Sequence, residues 1–155
     1  MKIKRCPVMF NNVISAKMTA ESNQWYEGAQ GLRNAIIRNG LYGTGPVIFQ
    51  TEDEASGSDK KMFTFSIPVN EPVTMEENER YHFEETLLIE DALVLRHADL
   101  DEDINESYAI LLACAEANDI TLQEPFYHIY LDVFGGGLID ICAPILKEDE
   151  ANAVR

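Results

Sequence analysis

The residue types that could do chemistry gather late in the chain. His128 and Tyr130 sit in Phe126-Tyr127-His128-Ile129-Tyr130-Leu131, and Asp140 and Cys142 in Leu138-Ile139-Asp140-Ile141-Cys142. A histidine near a carboxylate can exchange a proton with it and act as an acid–base pair. A carboxylate among aromatic rings suits a cation, because ring faces attract positive charge. Cys142 would complete a Cys–His–Asp set. A neighbouring carboxylate disfavours the thiolate, however, and no nucleophile motif surrounds the cysteine. A half-buried carboxylate is ordinarily paired. Lys17 and Arg96 stand in strand runs whose parity could bring either one to Asp140.

Other candidates fall away on spacing. His82, His97 and His128 are dispersed, with no second histidine at metal-ligand distance, so no metal site or cofactor is expected. Gly135-Gly136-Gly137 joins two strand runs and lacks the lysine and helix of a phosphate loop, so it reads as a turn. The run Asp99–Asp103 places negative charge at a helix start rather than at calcium-loop spacing. Cys6, Cys114 and Cys142 fit no zinc or redox pattern and read as free thiols in a reducing compartment.

Charge narrows the partners. Twenty-seven acidic residues oppose 12 Lys and Arg, a net charge of −15. That balance disfavours nucleic acid, whose binding draws on clustered basic residues. It favours solubility, and attraction to basic protein surfaces or cationic molecules. No apolar run is long enough for a signal peptide or a membrane span, so the expected location is cytoplasmic with no membrane partner.

The elements that must position these residues follow from periodicity. Residues 13–19 alternate as a strand. Ser22-Asn23-Gln24 offers helix-capping types. Trp25, Ala29, Leu32 and Ile36 then line one face of a helix that stops at Asn39-Gly40. Residues 47–51 and 62–67 make a hairpin ending at Pro68. Residues 70–82, with Pro72 and several glutamates, read as a linker. The order then repeats: a strand over 86–97 with a bulge or bend at Glu90-Asp91, a helix on the Ile104, Tyr108, Leu111 and Ala115 face, and strands over 126–131 and 138–142 ending at Pro144. Asn39 and Asn118 are 79 positions apart, as are Pro46 and Pro125, while Pro68 and Pro144 are 76 apart. The fold expected is α+β: two pseudo-symmetric β-α-β-β repeats in one antiparallel sheet, with helices on one face and a cleft on the other. One domain is expected over 1–146, with repeat one at about 10–69, repeat two at about 83–146, and a polar tail at 147–155. A monomer or a homodimer paired through an open sheet edge fits this plan.

Strand, helix and hairpin twice over, each hairpin ending in a proline flanked by Val or Ile, resembles the bacterial GyrI-like family over residues 13–146. That family includes effector-binding domains of multidrug-responsive transcription activators and relatives of the gyrase inhibitor. The resemblance implies a ligand cleft on the sheet face away from the helices. It also implies a binding domain alone, since no room remains for a helix-turn-helix before residue 13. Drug-binding members carry a Glu four residues before the terminal proline; here that place holds Asp140, before Pro144.

Strand parity assigns Phe49, Phe63, Phe65, Ile67, Ile129, Leu131, Ile139 and Ile141 to the helix side. It leaves Ile48, Gln50, Thr64, Ser66, His128, Tyr130, Asp140 and Cys142 for the cleft wall, with Trp25, Tyr26 and Tyr108 at its rim. Trp25 on an apolar helix face also reads as a core anchor. The function expected is binding of a small amphipathic, cationic molecule without DNA binding. A second reading is an acidic module or inhibitor that occupies a basic protein surface. A third is hydrolysis of strained small molecules, disfavoured because the family's cleft glutamate is replaced.

Overall fold

A computed structural model describes residues 3–21, 23–53, 60–76, 79–133 and 136–147. Among the described residues the fold is α+β, with six strands in antiparallel pairing and two helices. The order is β1 (Ile3–Glu21), α1 (Trp25–Arg38), β2 (Val47–Asp53), β3 (Lys60–Pro68), β4 (Tyr81–His97), α2 (Ile104–Ala117), β5 (Tyr127–Val133) and β6 (Gly136–Pro144). The chain divides into two compact units, one of Met9–Leu88 and one of Met1–Val8 with Ile89–Arg155.

In the Met9–Leu88 unit β3 is central. It pairs with β1 from Val13↔Pro68 to Glu21↔Lys60, and with β2 from Ile48↔Ser66 to Asp53↔Lys61. Cross-strand partners share a face. One face therefore carries Ile14, Ala16, Phe49, Phe63, Phe65 and Ile67, all buried. α1 lies on that face. Ala29, Leu32 and Ile36 are its buried stripe, and Trp25 stacks on Phe49 with ring centroids 4.8 Å apart. Phe63 and Phe65 stack in parallel beneath, 5.3 Å apart. Burying such a side chain contributes about 1.5–3 kcal/mol, so this aromatic cluster anchors the unit.

In the other unit β6 is central. It pairs with β4 from Ala92↔Pro144 to His97↔Ile139, and with β5 from Tyr127↔Cys142 to Val133↔Gly136. α2 starts on Asp103, whose carboxylate accepts a hydrogen bond from the Asn105 backbone N–H. This satisfies a donor that the first helical turn leaves open. Ser107, Leu111 and Ala115 form the buried stripe of α2.

The prolines ending the hairpins do the same work in both units. The Pro68 carbonyl accepts from Thr44 N–H and the Pro144 carbonyl from Gln123 N–H. Val69 N–H donates to the Asn12 carbonyl, and Ile145 N–H to that of Asp91. These bonds fall at the 79- and 76-residue offsets read from the sequence.

Several boundaries differ from the expectation. β1 begins at Ile3 rather than near residue 13. Pro7 and the pair Asn11-Asn12 disguise a strand in which Cys6, Val8 and Phe10 alternate as half-buried. Asn12 takes a left-handed φ of 55°, which asparagine tolerates better than most residues. β4 begins at Tyr81, inside the segment read as linker, because Tyr81 and Phe83 are half-buried among glutamates. The strand contains Glu90-Asp91, the expected place of a bulge or bend within it. Those two acids meet cations: Asp91 pairs with Arg5 at 2.7 Å and Glu90 with Lys147. Gly136 and Gly137 belong to β6 rather than to a turn. A Cβ on Gly137 would stand 2.7 Å from the Tyr130 ring, so the glycine lets that ring lie across the strand. Ser22, Gly135 and most of the 147–155 tail fall outside the described residues.

Candidate functional site

On the sheet face away from α1, one row crosses β1, β3 and β2 as Lys17, Thr64 and Gln50. The next row carries Ser15, Ser66 and Ile48. Ser15 and Ser66 share a 2.7 Å hydroxyl hydrogen bond, and Ser66 and Ile48 are buried. Thr64 and Gln50 are half-buried and Lys17 is exposed. The face thus grades from dry to wet along the strands. Ile48, Gln50, Thr64 and Ser66 share one surface, as parity predicts.

The other unit presents the corresponding row across β4, β6 and β5 as Arg96, Asp140 and Ile129. Arg96 Nε donates to Asp140 Oδ1 at 2.9 Å and Nη2 to Oδ2 at 3.2 Å. This two-point geometry is the strongest form of a guanidinium–carboxylate contact. The carboxylate holds the Arg96 guanidinium more firmly protonated, first through the hydrogen bond and then through charge. The Asp140 side chain is 18% exposed and that of Arg96 58%. Cys142, Leu138 and Leu131 share Asp140's face by register.

His128 and Tyr130 do not share it. Their register partners are Ile141 and Ile139, which places them on the face covered by α2. His128 Nε2 bonds the Tyr108 hydroxyl of α2 at 2.5 Å, and their rings meet edge-on. Ile129 and Leu131, expected on the helix side, stand instead beside Asp140. The cause is the register of the β5–β6 hairpin, which sets Ile129 opposite Asp140. Trp25 and Tyr108 lie on the helix sides of their units, and Tyr26 is exposed on α1. A Cys142–His128–Asp140 set is therefore not assembled. Burial pushes the Cys142 thiol up to about 12, helped by Cys6 and Asp140, so it stays protonated.

A second histidine is built into the same core. His97 Nε2 lies 3.1 Å from the Glu102 carbonyl, and Nδ1 2.9 Å from the Ser107 hydroxyl. A carbonyl only accepts, so Nε2 carries a proton and donates to it, while Nδ1 and the Ser107 hydroxyl share the second hydrogen bond. This ties α2 and the loop before it to β4.

The Met9–Leu88 unit also contains a hollow of about 580 Å³ beside α1. Ile14, Leu32, Ile36, Val73 and Tyr81 make it mainly apolar, with Asn39 and Glu71 at its edge. Sequence reading missed it because residues 71–75 carry no periodicity. Among the described residues, no group of three or more His, Cys, Asp or Glu could hold a metal ion, and no helix is long and apolar enough to cross a membrane.

Such a fold is shared with solved structures. The chain resembles EcmrR as it stands in the "EcmrR-DNA complex in EcmrR-RPo", with a TM-score of 0.70 and 16% identity over 94% of this chain. It spans 58% of that longer chain. The EcmrR C-terminal domain matches at a TM-score of 0.65 and 14% identity, over 95% of this chain and 99% of that one. A hydrolase from Listeria innocua matches at 0.70 and 13%, over 94% and 92%. At these identities the likeness is one of fold, and it is the fold expected from the GyrI-like resemblance. Residues 9–146 match a family model, and the chain belongs to that family, described as Domain of unknown function (DUF5085). No curated protein matches the chain.

Proposed function

We propose that this protein binds a small amphipathic molecule on the sheet face away from the helices. The observation that supports this reading is the Arg96–Asp140 pair: a half-buried carboxylate held on apolar ground by an exposed guanidinium. Ile129, Leu131, Leu138 and Cys142 share that face. They suit an apolar body, and the remaining N–H donors of Arg96 suit a polar head. Ile48, Gln50, Thr64 and Ser66 form the equivalent surface of the other unit. The charge of Asp140 is already matched. A cationic ligand must displace Arg96 before it meets the carboxylate, so this face prefers neutral-headed molecules to bare cations.

The test uses two aromatic dyes of equal size, one cationic and one neutral, followed by calorimetric titration. The wild-type chain should bind the neutral dye at least as tightly. Arg96→Met uncovers the carboxylate and should shift preference toward the cation by tenfold or more, about 1.4 kcal/mol. Arg96→Met with Asp140→Asn should abolish that shift. Failure of the wild-type chain to bind either dye, or a preference unmoved by Arg96→Met, overturns the reading.

A further inference from the structure

α2 differs from α1 on the side that points away from its sheet. Both helices have 14 residues and end on an asparagine. Where α1 exposes Gln30, Arg33 and Asn34, the corresponding positions of α2 expose Ala109, Leu112 and Ala113. Ile110 replaces Gly31. Leu112 is 50% exposed and Ile110 36%. The two middle turns of α2 are thus apolar on every side: Leu111 faces the core, Ile110 and Leu112 flank it, and Ala109 and Ala113 form the crest. A helix that is apolar all round is ordinarily covered all round. α1, with a polar outer face, needs no such cover.

The surrounding charge says what the cover must be. From residue 97 to residue 146 the sequence contains no Lys or Arg. The exposed acids Asp101, Glu102, Glu106 and Glu116 stand in and beside the two ends of α2. The apolar patch therefore lies within an acidic rim. A second copy of this chain would set one acidic rim against another, and anionic lipid would be repelled in the same way. The alanine crest between Ile110 and Leu112 is a shallow groove that lets another backbone come close.

We propose that the outer face of α2 docks a basic amphipathic helix of a partner protein. Its apolar side chains would lie along Ala109 and Ala113 between Ile110 and Leu112, and its Lys and Arg would meet the acidic rim. Apolar anchors in a groove supply affinity in this mode of recognition, and charge complementarity supplies orientation and encounter rate. The inference goes beyond the ligand reading and does not depend on it, since α2 covers the opposite face of the sheet.

The probe is a labelled synthetic helix with a Leu face edged by Lys and Arg, titrated with the full chain by fluorescence anisotropy. Two controls have the same Leu face edged by Glu, or the basic sequence scrambled to destroy its amphipathic face. Only the basic amphipathic peptide should bind, and its affinity should fall at least tenfold in about 0.5 M NaCl, where screening is strong. Leu112→Glu, at an exposed position and with the fold checked by circular dichroism, should also cost at least tenfold. Asn34→Ser on α1 should change nothing. Equal binding of the controls, or indifference to Leu112→Glu, overturns the proposal. So does sedimentation showing a dimer that Leu112→Glu dissolves, because a second copy would then own the face.

Discussion

Tyr108 is a residue whose behaviour its surroundings fix sharply. Burial raises its phenol from 10.0 to about 12, and its hydroxyl bonds His128 Nε2. The folded chain thus favours the neutral phenol more than the unfolded chain does. The contribution is intact below about pH 10 and is lost as pH rises from there toward 12. Absorbance titration near 295 nm should show one tyrosine ionising late, and Tyr108→Phe should remove that late step. The same substitution should lower unfolding free energy in urea by about 1–2 kcal/mol, since it removes a largely buried hydrogen bond. At this scale parity read the faces of the first hairpin but not those of β5. His128 and Asp140 looked like neighbours because both sit in apolar strands. Yet Gln50 and Thr64 were assigned to one face, and Ile129 and Asp140 stand at their 79- and 76-residue offsets. Applied to β5, the repeat spacing points to Ile129 as the neighbour of Asp140. Parity within one strand cannot do this, because it leaves the hairpin register free.

Among the elements, α1 shows how closely a helix may approach its sheet. A Cβ on Gly28 would stand 2.6 Å from both Met18 Sδ and Phe65 Cε2. Met18 can swing aside, but Phe65 is fully buried and stacked on Phe63. Gly28→Ala should therefore destabilise by about 1–3 kcal/mol through overpacking, despite alanine's better helix propensity. At Gly31 an added Cβ meets nothing within 4 Å, so Gly31→Ala should stabilise by about 0.5–1 kcal/mol. Parallel thermal melts check both signs. The existence and order of all eight elements were legible, because α1 and α2 keep clean helical spacing and the hairpins end in prolines. The first halves of β1 and β4 were not. Pro7, Asn11 and Asn12 in one, and Glu84 and Glu85 in the other, read locally as loop. Only pairing within the fold makes them strand.

For the whole molecule, a net charge of −15 is the dominant long-range term. Self-repulsion opposes the compact state, while the ion pairs of Arg5 and Lys147 are largely exposed and contribute little each. Repulsion should win, so raising NaCl from roughly 10 mM to 0.5 M, which shortens the screening length severalfold, should raise the melting temperature. A fall would show that the ion pairs dominate. The division of the chain carries a different consequence. Met1–Val8 groups with Ile89–Arg155, while β4's opening stretch, through Leu88, groups with the first helix and hairpin. A cut within 70–80 would yield two fragments that each lack part of their own unit, so neither should fold as a free-standing half. Mixing them should restore both at once, so a split within 70–80 has to be planned as complementation rather than as dissection.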